Sequence, residues 1–512
     1  MDVKVFWASH KKCMVLNGMF ILLCYAHMAF SDNIGVDTEI LLSNEPAMLD
    51  SWIGIGRQGL VLTKYLFGLA PYNPYFAGVL FLAAFTALGA SIAFFCWVAG
   101  GKNDLYPYWM FLLLFSTCPV WMPQFYFALQ RTEVVFGLIY AVVSAFSLCQ
   151  MVFYGKKKVS RVLVYLFFGI WSFCSYQGCV MFYIGLCIIF FLMDFIRLSR
   201  GREWRVYAAL ILKLMGGFLL VYCLNMAITN LFFGQGQYLQ EQVGWGRIEP
   251  MESLRKIASH VYHITTNIEV GQISAFPLSC ICTAIVFIHF CRKKEMEKSL
   301  KAVLLIALAG LLITPFLLTI YLGDLPVARS QFVLQLIAAF SCMFACGIWR
   351  AKGGTKEEWF QRGAVGFSAV FIWLSLGMVF RLQYTADVSY QEDVRVVCEI
   401  AKEIRQTEGA EGMPVIFVGK YKAKLNRAAV PMDMYGESLL GWGSTKEDPT
   451  GATGRIISLM DALGINMESG VPPFGKEAVL AAESMEPYPN QGYISVQDGY
   501  VVVNLSMLEY NP

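Results

Sequence analysis

The sequence predicts a mainly α-helical, polytopic membrane protein with a small α/β domain at its C-terminal end. Of the 512 residues, 57% are hydrophobic and only 15% are charged. A soluble core of this length does not bury so much apolar surface, so lipid must cover the remainder. Lys and Arg also cluster between alternate pairs of long apolar runs, whereas acidic residues collect in the intervening segments. This charge pattern is typical of a chain that crosses a bilayer many times.

The apolar runs are long enough to cross a hydrocarbon core, which takes roughly 20 helical residues. Counting them predicts about 11 transmembrane helices. The predicted spans are 13–31, 76–99, 107–126, 133–153, 160–177, 179–196, 207–233, 274–291, 302–322, 330–349 and 363–383. The fifth and sixth form an almost unbroken apolar stretch, so the division between them is the least sharply marked.

The basic residues predict the orientation of the chain. Lys4, Lys11 and Lys12 precede the first span, and further basic clusters follow the even-numbered spans. Excess Lys and Arg marks cytoplasmic segments, so the N-terminus is expected in the cytoplasm and, with an odd number of spans, the C-terminal domain outside. No small-residue cleavage pattern follows Phe30, which favours a retained signal-anchor over a cleaved signal peptide.

The C-terminal part of the sequence reads as a soluble α/β unit. A helical pattern through Val394–Ile404 precedes the strand-like Pro414–Gly419, and a short helix is predicted at Arg455–Leu463. A hairpin then turns 493–496 back onto 500–505 at Gln497-Asp498-Gly499. We therefore predict a transmembrane domain at 1–384 and an extracytoplasmic α/β domain at 385–512. The latter has no recognisable catalytic motif, which favours a role in packing or acceptor recognition.

Several classes of function are disfavoured by composition. Of the 15 Cys, all but Cys398 lie in or beside apolar spans, and the five His are scattered, so no metal site and no cofactor are predicted. A net charge of +3 is too small to indicate a nucleic-acid partner. Ion-coupled transporters carry ionisable groups within their spans and often have repeats with broken helices. Neither feature is evident here.

The first predicted outer loop, from Asp32 to about Tyr75, carries most of the groups capable of chemistry. It contains five acids in its first half and then a stretch too short and too polar to span. Asp50, Arg57 and Lys64 recur every seven residues, which predicts one amphipathic helix in the membrane interface. A carboxylate near such a helix would lie at headgroup depth, where a lipid-linked phosphate presents its sugar.

A set of short motifs in the membrane part resembles a known family. The set comprises Asp37, WIGIGRQGLVLTKYLFG at Trp52–Gly68, NPYFAG at the start of the second span, SYQG at Ser175–Gly178, and Arg329. In these features the chain is similar to the bacterial glucosyl transferase II family, the O-antigen-type glucosyltransferases of the wider GT-C class of membrane glycosyltransferases. The GRQG segment departs from the GRW that is more usual in the family, which leaves the sugar and acceptor open.

The resemblance implies a GT-C-like enzyme of the bacterial cytoplasmic (inner) membrane. Such an enzyme moves a hexose, with glucose expected, from a polyprenyl phosphate carrier to a surface glycan or a lipid-linked glycan acceptor, amid membrane lipids. An acceptor hydroxyl is a poor nucleophile, so a carboxylate must take its proton as it attacks and inverts the anomeric carbon. Asp37 is the first candidate for this base, Glu39 the second and Asp32 the third. The alternative for each is a solvated loop charge.

Other residues are candidates for holding the donor. Arg57 could bind two phosphate oxygens, or could be an interfacial anchor, and Arg329 is a second cation candidate. Tyr176 and Gln177 could contact sugar or carrier, or could tie two helices together. Trp52 could stack on a sugar face or anchor the chain at the interface.

Two further classes stay open at the level of sequence. A lipid-linked glycan flippase or transporter would share the topology, and a noncatalytic envelope assembly protein would use the C-terminal domain for binding. Neither needs a catalytic base. The polar loop at 234–247 could form part of an acceptor cleft, and it could equally be a plain connection.

Overall fold

The computed structural model describes residues 2–198, 203–233, 243–266, 275–294, 296–350, 355–470 and 475–506. This part of the chain is mainly helical and includes one three-stranded sheet. It divides into two compact units. The helical unit contains the described residues of Met1–Phe30, Asp50–Phe125 and Gln130–Val379, and the mixed unit contains those of Ser31–Leu49, Tyr126–Leu129 and Phe380–Pro512.

The α-helices and strands are numbered in the order in which they occur in the chain. The helices of the described residues are α1 Asp2–Ala29, α2 Thr38–Ser43, α3 Glu45–Gly54, α4 Gln58–Leu66, α5 Pro74–Ala99, α6 Tyr108–Thr117, α7 Met122–Phe125, α8 Arg131–Tyr154, α9 Val159–Phe173, α10 Gly178–Leu198, α11 Trp204–Phe232, α12 Pro250–Thr266, α13 Ala275–Cys291, α14 Lys298–Ile313, α15 Leu317–Leu322, α16 Val333–Arg350, α17 Thr355–Gln406, α18 Thr453–Ala462 and α19 Gly475–Glu483. The strands are β1 Val415–Val418, β2 Ile494–Gln497 and β3 Tyr500–Asn504.

Each predicted membrane span overlaps at least one helix. Seven helical segments in the described part of the chain are long and apolar enough to cross a membrane. They are Asp2–Ala29, Pro74–Ala99, Arg131–Tyr154, Gly178–Leu198, Trp204–Phe232, Lys298–Leu322 and Arg362–Gln406. The shorter apolar helices Tyr108–Thr117, Val159–Phe173, Ala275–Cys291 and Val333–Ile348 overlap the other predicted spans. The total of about 11 spans, and the side on which each terminus lies, stay predictions.

Burial separates inner from outer helices within the helical unit. In α8 and α10, 72% of the most apolar window is buried, against 22% in α11. The exposed side chains of α11 include Leu212, Met215 and Leu220. An exposed apolar face of this size on a helix of 29 residues is expected where lipid covers it.

The NPYFAG motif sets the start of α5. The Asn73 side chain accepts a hydrogen bond from the Phe76 amide at 2.9 Å, and Pro74 occupies the first turn, where no amide hydrogen is needed. A Cβ atom at Gly78 would lie 1.9 Å from the Ala29 carbonyl oxygen. Only glycine therefore permits this close contact between α5 and the end of α1.

The hairpin predicted near the C-terminus is confirmed. Strands β2 and β3 are antiparallel with Gln497 opposite Tyr500, and Gly499 has a φ of 90° in the two-residue turn between them. Strand β1 pairs in parallel with β3, with Val415 opposite Val501, so the sheet order is β1-β3-β2. The predicted strand at 414–419 and helix at 455–463 are also present, as β1 and α18.

Both faces of this sheet are covered. On one face, Val415, Phe417, Val501 and Val503 pack with apolar residues of α17 and α18. On the other, Ile416, Val418 and Val502 pack with Ala478 and Ala482 of α19. The mixed unit is thus a three-layer α/β structure with its core on both sides of the sheet.

The mixed unit also includes part of the first predicted outer loop. Residues Ser31–Leu49 belong to it, although nothing in the sequence pattern indicated this. Helix α17 is continuous through residues 384 and 385. The domain boundary placed between those two residues stays a prediction.

Candidate functional site

The stretch from Glu45 to Leu66 forms two helices. Helices α3 and α4 are separated by a turn at Gly56, whose φ of 80° is a left-handed conformation that favours glycine. Arg57 follows it with non-helical backbone angles, and its amide donates to the Trp52 carbonyl at 2.8 Å. The prediction of one interfacial helix with Asp50, Arg57 and Lys64 on a single stripe is therefore wrong.

Lys64 is buried as an ion pair. Its Nζ lies 2.6 Å from Glu133 Oε1, and the side chains are 0% and 2% exposed. The Nζ atom also lies 5.7 Å from the centre of the Trp52 ring, which is itself only 4% exposed. Trp52 consequently packs inside the helical unit and contributes to the surroundings of this pair.

The GRQG and SYQG motifs meet in the helical unit. The Gly59 amide donates to the Cys174 carbonyl at 2.9 Å, and a Cβ atom on Gly59 would lie 2.7 Å from the Trp171 carbonyl oxygen. The Arg57 guanidinium lies 4.8 Å from the centre of the Tyr176 ring, within cation–π range. Two segments more than 100 residues apart are thus locked together by backbone contact.

A second arginine joins this cluster. Arg329 lies in a 3-10 turn, Ala328–Ser330, and hydrogen-bonds the Tyr176 side chain. Arg57 also donates to Gln130 Oε1 at 3.2 Å. The predicted donor residues Arg57, Tyr176 and Arg329 are therefore in mutual contact through Tyr176.

Beside this cluster lies a cavity of about 490 Å³. Arg57, Tyr176 and Gln177 line it, together with the polar Asn225 and Thr229 of α11. The remaining lining is Ile55, Gly56, Phe173, Val180, Met181, Phe218, Leu219, Tyr222, Met226, Val243, Leu318, Tyr321 and Leu322. The cavity therefore has a small cationic and polar portion within a largely apolar wall.

A second cavity of about 340 Å³ shares Phe218 with the first. Apolar residues of α10, α11 and α14 form nearly all of its wall, among them Ile188, Phe191 and Ile306. The first cavity thus offers a polar portion and the second an almost wholly apolar one, and residues of α10 and α11 line both.

The three predicted base candidates lie in the mixed unit, and two of them, Asp37 and Glu39, share one arginine. Arg455 of α18 places Nη1 2.6 Å from Glu39 Oε1 and Nη2 2.9 Å from Asp37 Oδ1. Asp37 precedes α2 with a φ of 69°. Its side chain is 32% exposed, whereas that of Glu39 is fully buried. Asp32, the third candidate, lies within electrostatic range of Tyr390.

Burial has the largest effect on the pKa of the Glu39 carboxyl. It raises the pKa of this carboxyl to about 7, an effect that Arg455 opposes and the nearby Asp37 charge reinforces. The two carboxylates raise the pKa of the Arg455 guanidinium, although burial acts the other way. Within the described chain, Asp37 uses only Oδ1 for a side-chain hydrogen bond. Asp37 is thus the more accessible carboxylate of the two.

A comparison with models of known protein families assigns the chain to a family. The family model described as glucosyl transferase GtrII matches residues 27–346, which is more than half of the sequence. The protein belongs to the GtrII family. This confirms the resemblance drawn from the motifs and makes the protein a glycosyltransferase. No curated protein and no solved structure matches the chain.

The GtrII match covers all the candidate site residues named from the sequence, but not Arg455. Sequence reasoning missed Arg455 because its partners lie 416 and 418 positions away. It also missed Asn225 and Thr229, although a polar residue within an apolar span is a usable signal. Val243 lines the first cavity, whereas residues 234–242 of the predicted acceptor loop lie outside the described residues. No cluster of three or more His, Cys, Asp or Glu that could hold a metal occurs among the residues described.

Proposed function

We propose that this GtrII-family glycosyltransferase moves a hexose, with glucose as the expected sugar, from a polyprenyl phosphate to a surface glycan or lipid-linked glycan. The observation that carries the proposal is the cavity where Arg57, Tyr176 and Gln177 meet an otherwise largely apolar wall. A polyprenyl phosphate has the same division, with one anionic group on a long hydrocarbon chain. Each portion of the carrier thus has a matching portion of the cavity.

Arg57 is the proposed ligand of the carrier phosphate. A guanidinium can hold two phosphate oxygens at once, and it stays charged in apolar surroundings. The contact with Tyr176 and the hydrogen bond to Gln130 fix its position before substrate binds. Arg329, which hydrogen-bonds Tyr176, adds a second positive charge nearby. A fixed positive charge stabilises the phosphate as it departs.

The adjoining apolar cavity supports a lipid-linked donor. Its wall offers the carrier an environment like that of the bilayer, without hydrogen-bonding groups to satisfy. A nucleotide sugar would instead need polar partners for its base and ribose. The proposed donor therefore carries its sugar on a lipid.

The proposed reaction is one inverting displacement. The acceptor hydroxyl oxygen forms a bond to the anomeric carbon as the bond from that carbon to the phosphate oxygen breaks. The polyprenyl phosphate leaves with the electron pair, and the acceptor proton passes to a carboxylate. Atoms and charge balance without a metal or a redox partner.

Asp37 is the proposed proton acceptor. Its side chain is partly exposed, whereas the Glu39 side chain is fully buried against Arg455. A base must reach the proton that it removes, directly or through one water. Accessibility therefore favours Asp37 over Glu39, and Arg455 is proposed to position Asp37.

The test is transfer by the purified full-length protein, supplied with polyprenyl-phosphate glucose and a glycan acceptor. Asp37→Asn is expected to lower the rate by about 100-fold or more, as for a lost general base, while donor binding is retained. Asp50→Asn, at an exposed position in α3, is the matched control and should keep the wild-type rate. Full activity of Asp37→Asn would remove Asp37 from the mechanism. Movement of intact lipid-linked sugar across vesicles without transfer would instead identify a flippase.

A further inference from the structure

The side-chain oxygen of Asn225, Oδ1, has no hydrogen-bond partner in the described part of the chain, and the residue is only 9% exposed. Its Oδ1 atom is buried, and the residue lines the larger cavity. Leaving a buried amide unpaired is costly, since such groups nearly always have a partner in folded proteins. The arrangement therefore indicates a ligand group that pairs with this amide.

The position of Asn225 along α11 narrows the choice of ligand group. Thr229, Asn225, Tyr222 and Phe218 line the same cavity at intervals of three or four residues, so they follow one face of the helix. Thr229 Oγ1 accepts a hydrogen bond from Gln58 Nε2 at 2.7 Å, next in sequence to Arg57. Asn225 therefore lies between the polar end of the cavity and Phe218, which opens onto the apolar cavity.

We propose that the Asn225 amide donates a hydrogen bond to a non-bridging oxygen of the carrier phosphate. This inference rests on the proposed function and adds a second, uncharged phosphate ligand to Arg57. Rotation of the amide exchanges its oxygen and nitrogen, so an N–H group can occupy the buried position assigned to Oδ1. With the phosphate there, the hydrocarbon chain follows α11 past Tyr222 and Phe218 into the apolar cavity.

A phosphate fits this site better than a sugar does. The non-bridging oxygens of a phosphodiester only accept hydrogen bonds, and the amide supplies two N–H donors. A sugar at Asn225 would have to share the apolar stretch of wall with the carrier's own hydrocarbon chain. The sugar is therefore placed on the other side of the phosphate, away from Phe218.

The test is lipid binding to the purified full-length protein. The two probes are sugar-free polyprenyl phosphate and polyprenyl-phosphate glucose. Asn225→Leu, similar in size but without hydrogen-bonding groups, is expected to weaken binding of both probes by about 10- to 100-fold. Asn225→Asp, which adds a negative charge beside the phosphate, should weaken both further. Cys223→Ser, at an exposed position of the same helix, is the control and should bind both probes like wild type.

The outcomes distinguish failure of the inference from failure of the proposed function. Wild-type affinity of Asn225→Leu and Asn225→Asp for both probes would overturn the inference and leave the proposed function intact. Loss of affinity for the sugar-linked probe alone would assign the amide to the sugar, which also overturns the inference. If wild type binds neither probe, both the proposed function and the inference fall. Thermal unfolding of each variant monitors folding, and Asn225→Ala, which also lacks hydrogen-bonding groups, replaces Asn225→Leu if the latter fails to fold.

Discussion

The guanidinium of Arg455 lies 2.6 Å from the carboxylate of Glu39, a side chain with no solvent exposure. The same guanidinium holds Asp37 with its other terminal nitrogen. A buried carboxylate without a cation is strongly destabilising, so this contact has a structural role. Because Arg455 also contacts the more exposed Asp37, it is proposed to position that carboxylate for proton transfer as well.

A double substitution separates these two roles. At a pH well above 7, Arg455→Gln is expected to lower the free energy of unfolding by roughly 3 kcal/mol, because there it leaves the ionised Glu39 carboxylate buried and unpaired. Adding Glu39→Gln removes that charge and should restore much of the thermal unfolding midpoint. The transfer rate should stay low in the double variant, since Asp37 still lacks its positioning contact. Recovery of both quantities together would mean that Arg455 acts on stability alone.

The raised pKa of Glu39 predicts a pH dependence of stability. Its pKa rises from an ordinary 4.5 to about 7 in the folded protein, because burial disfavours the charged form. Between these values the folded state binds more protons at this site than the unfolded chain does. The contribution of Glu39 to the free energy of unfolding is therefore at its maximum below pH 4.5 and falls as the pH rises to about 7.

Thermal unfolding across this pH range checks the prediction. Glu39→Gln cannot titrate, so its unfolding midpoint should decline less than that of wild type between pH 4.5 and 7. Glu411→Gln, at an exposed position of the mixed unit, should follow wild type. Parallel curves for wild type and Glu39→Gln would show that burial does not shift the titration of this carboxyl.

The helices of the long apolar runs were the part of the fold most readable from sequence. Apolar runs that are long enough to span a membrane can scarcely form anything but helices in lipid, and every predicted span overlaps at least one helix. The hairpin was also predictable, because the turn residues Asp498 and Gly499 lie between two short segments rich in β-branched residues. Both signals are local in the chain.

The candidate site was less predictable because its contacts are not local. The seven-residue spacing of Asp50, Arg57 and Lys64 implied one helix, but the left-handed backbone at Gly56 ends that regularity. Lys64 was expected near the interface and instead pairs with Glu133 in the interior. Nothing in the loop itself shows that its residues 31–49 join the mixed unit, where Arg455 lies.

The buried Lys64–Glu133 pair predicts a stability change with a distinctive pattern. Lys64→Met should lower the free energy of unfolding by about 3 to 5 kcal/mol, because it leaves Glu133 charged in the interior. Lys64→Met with Glu133→Leu removes both charges and should regain most of this loss. Thermal unfolding of the single and double variants in detergent provides the comparison. A double variant no more stable than Lys64→Met would show that the two side chains are not energetically coupled.

The close contact at Gly59 predicts that a single methyl group disturbs the donor cavity. In Gly59→Ala, the new Cβ would lie 2.6 Å from Cys174 Sγ and 2.7 Å from a backbone oxygen, which cannot rotate away. Helix α4 must then shift, at a cost of about 1 to 3 kcal/mol for overpacking, and Arg57 shifts with it. The midpoint of thermal unfolding and the affinity for polyprenyl phosphate should both fall. Gly54→Ala is the control, since nothing lies within 4 Å of its Cβ. If both alanine variants bind the lipid as wild type does, the Gly59 contact does not fix the position of Arg57.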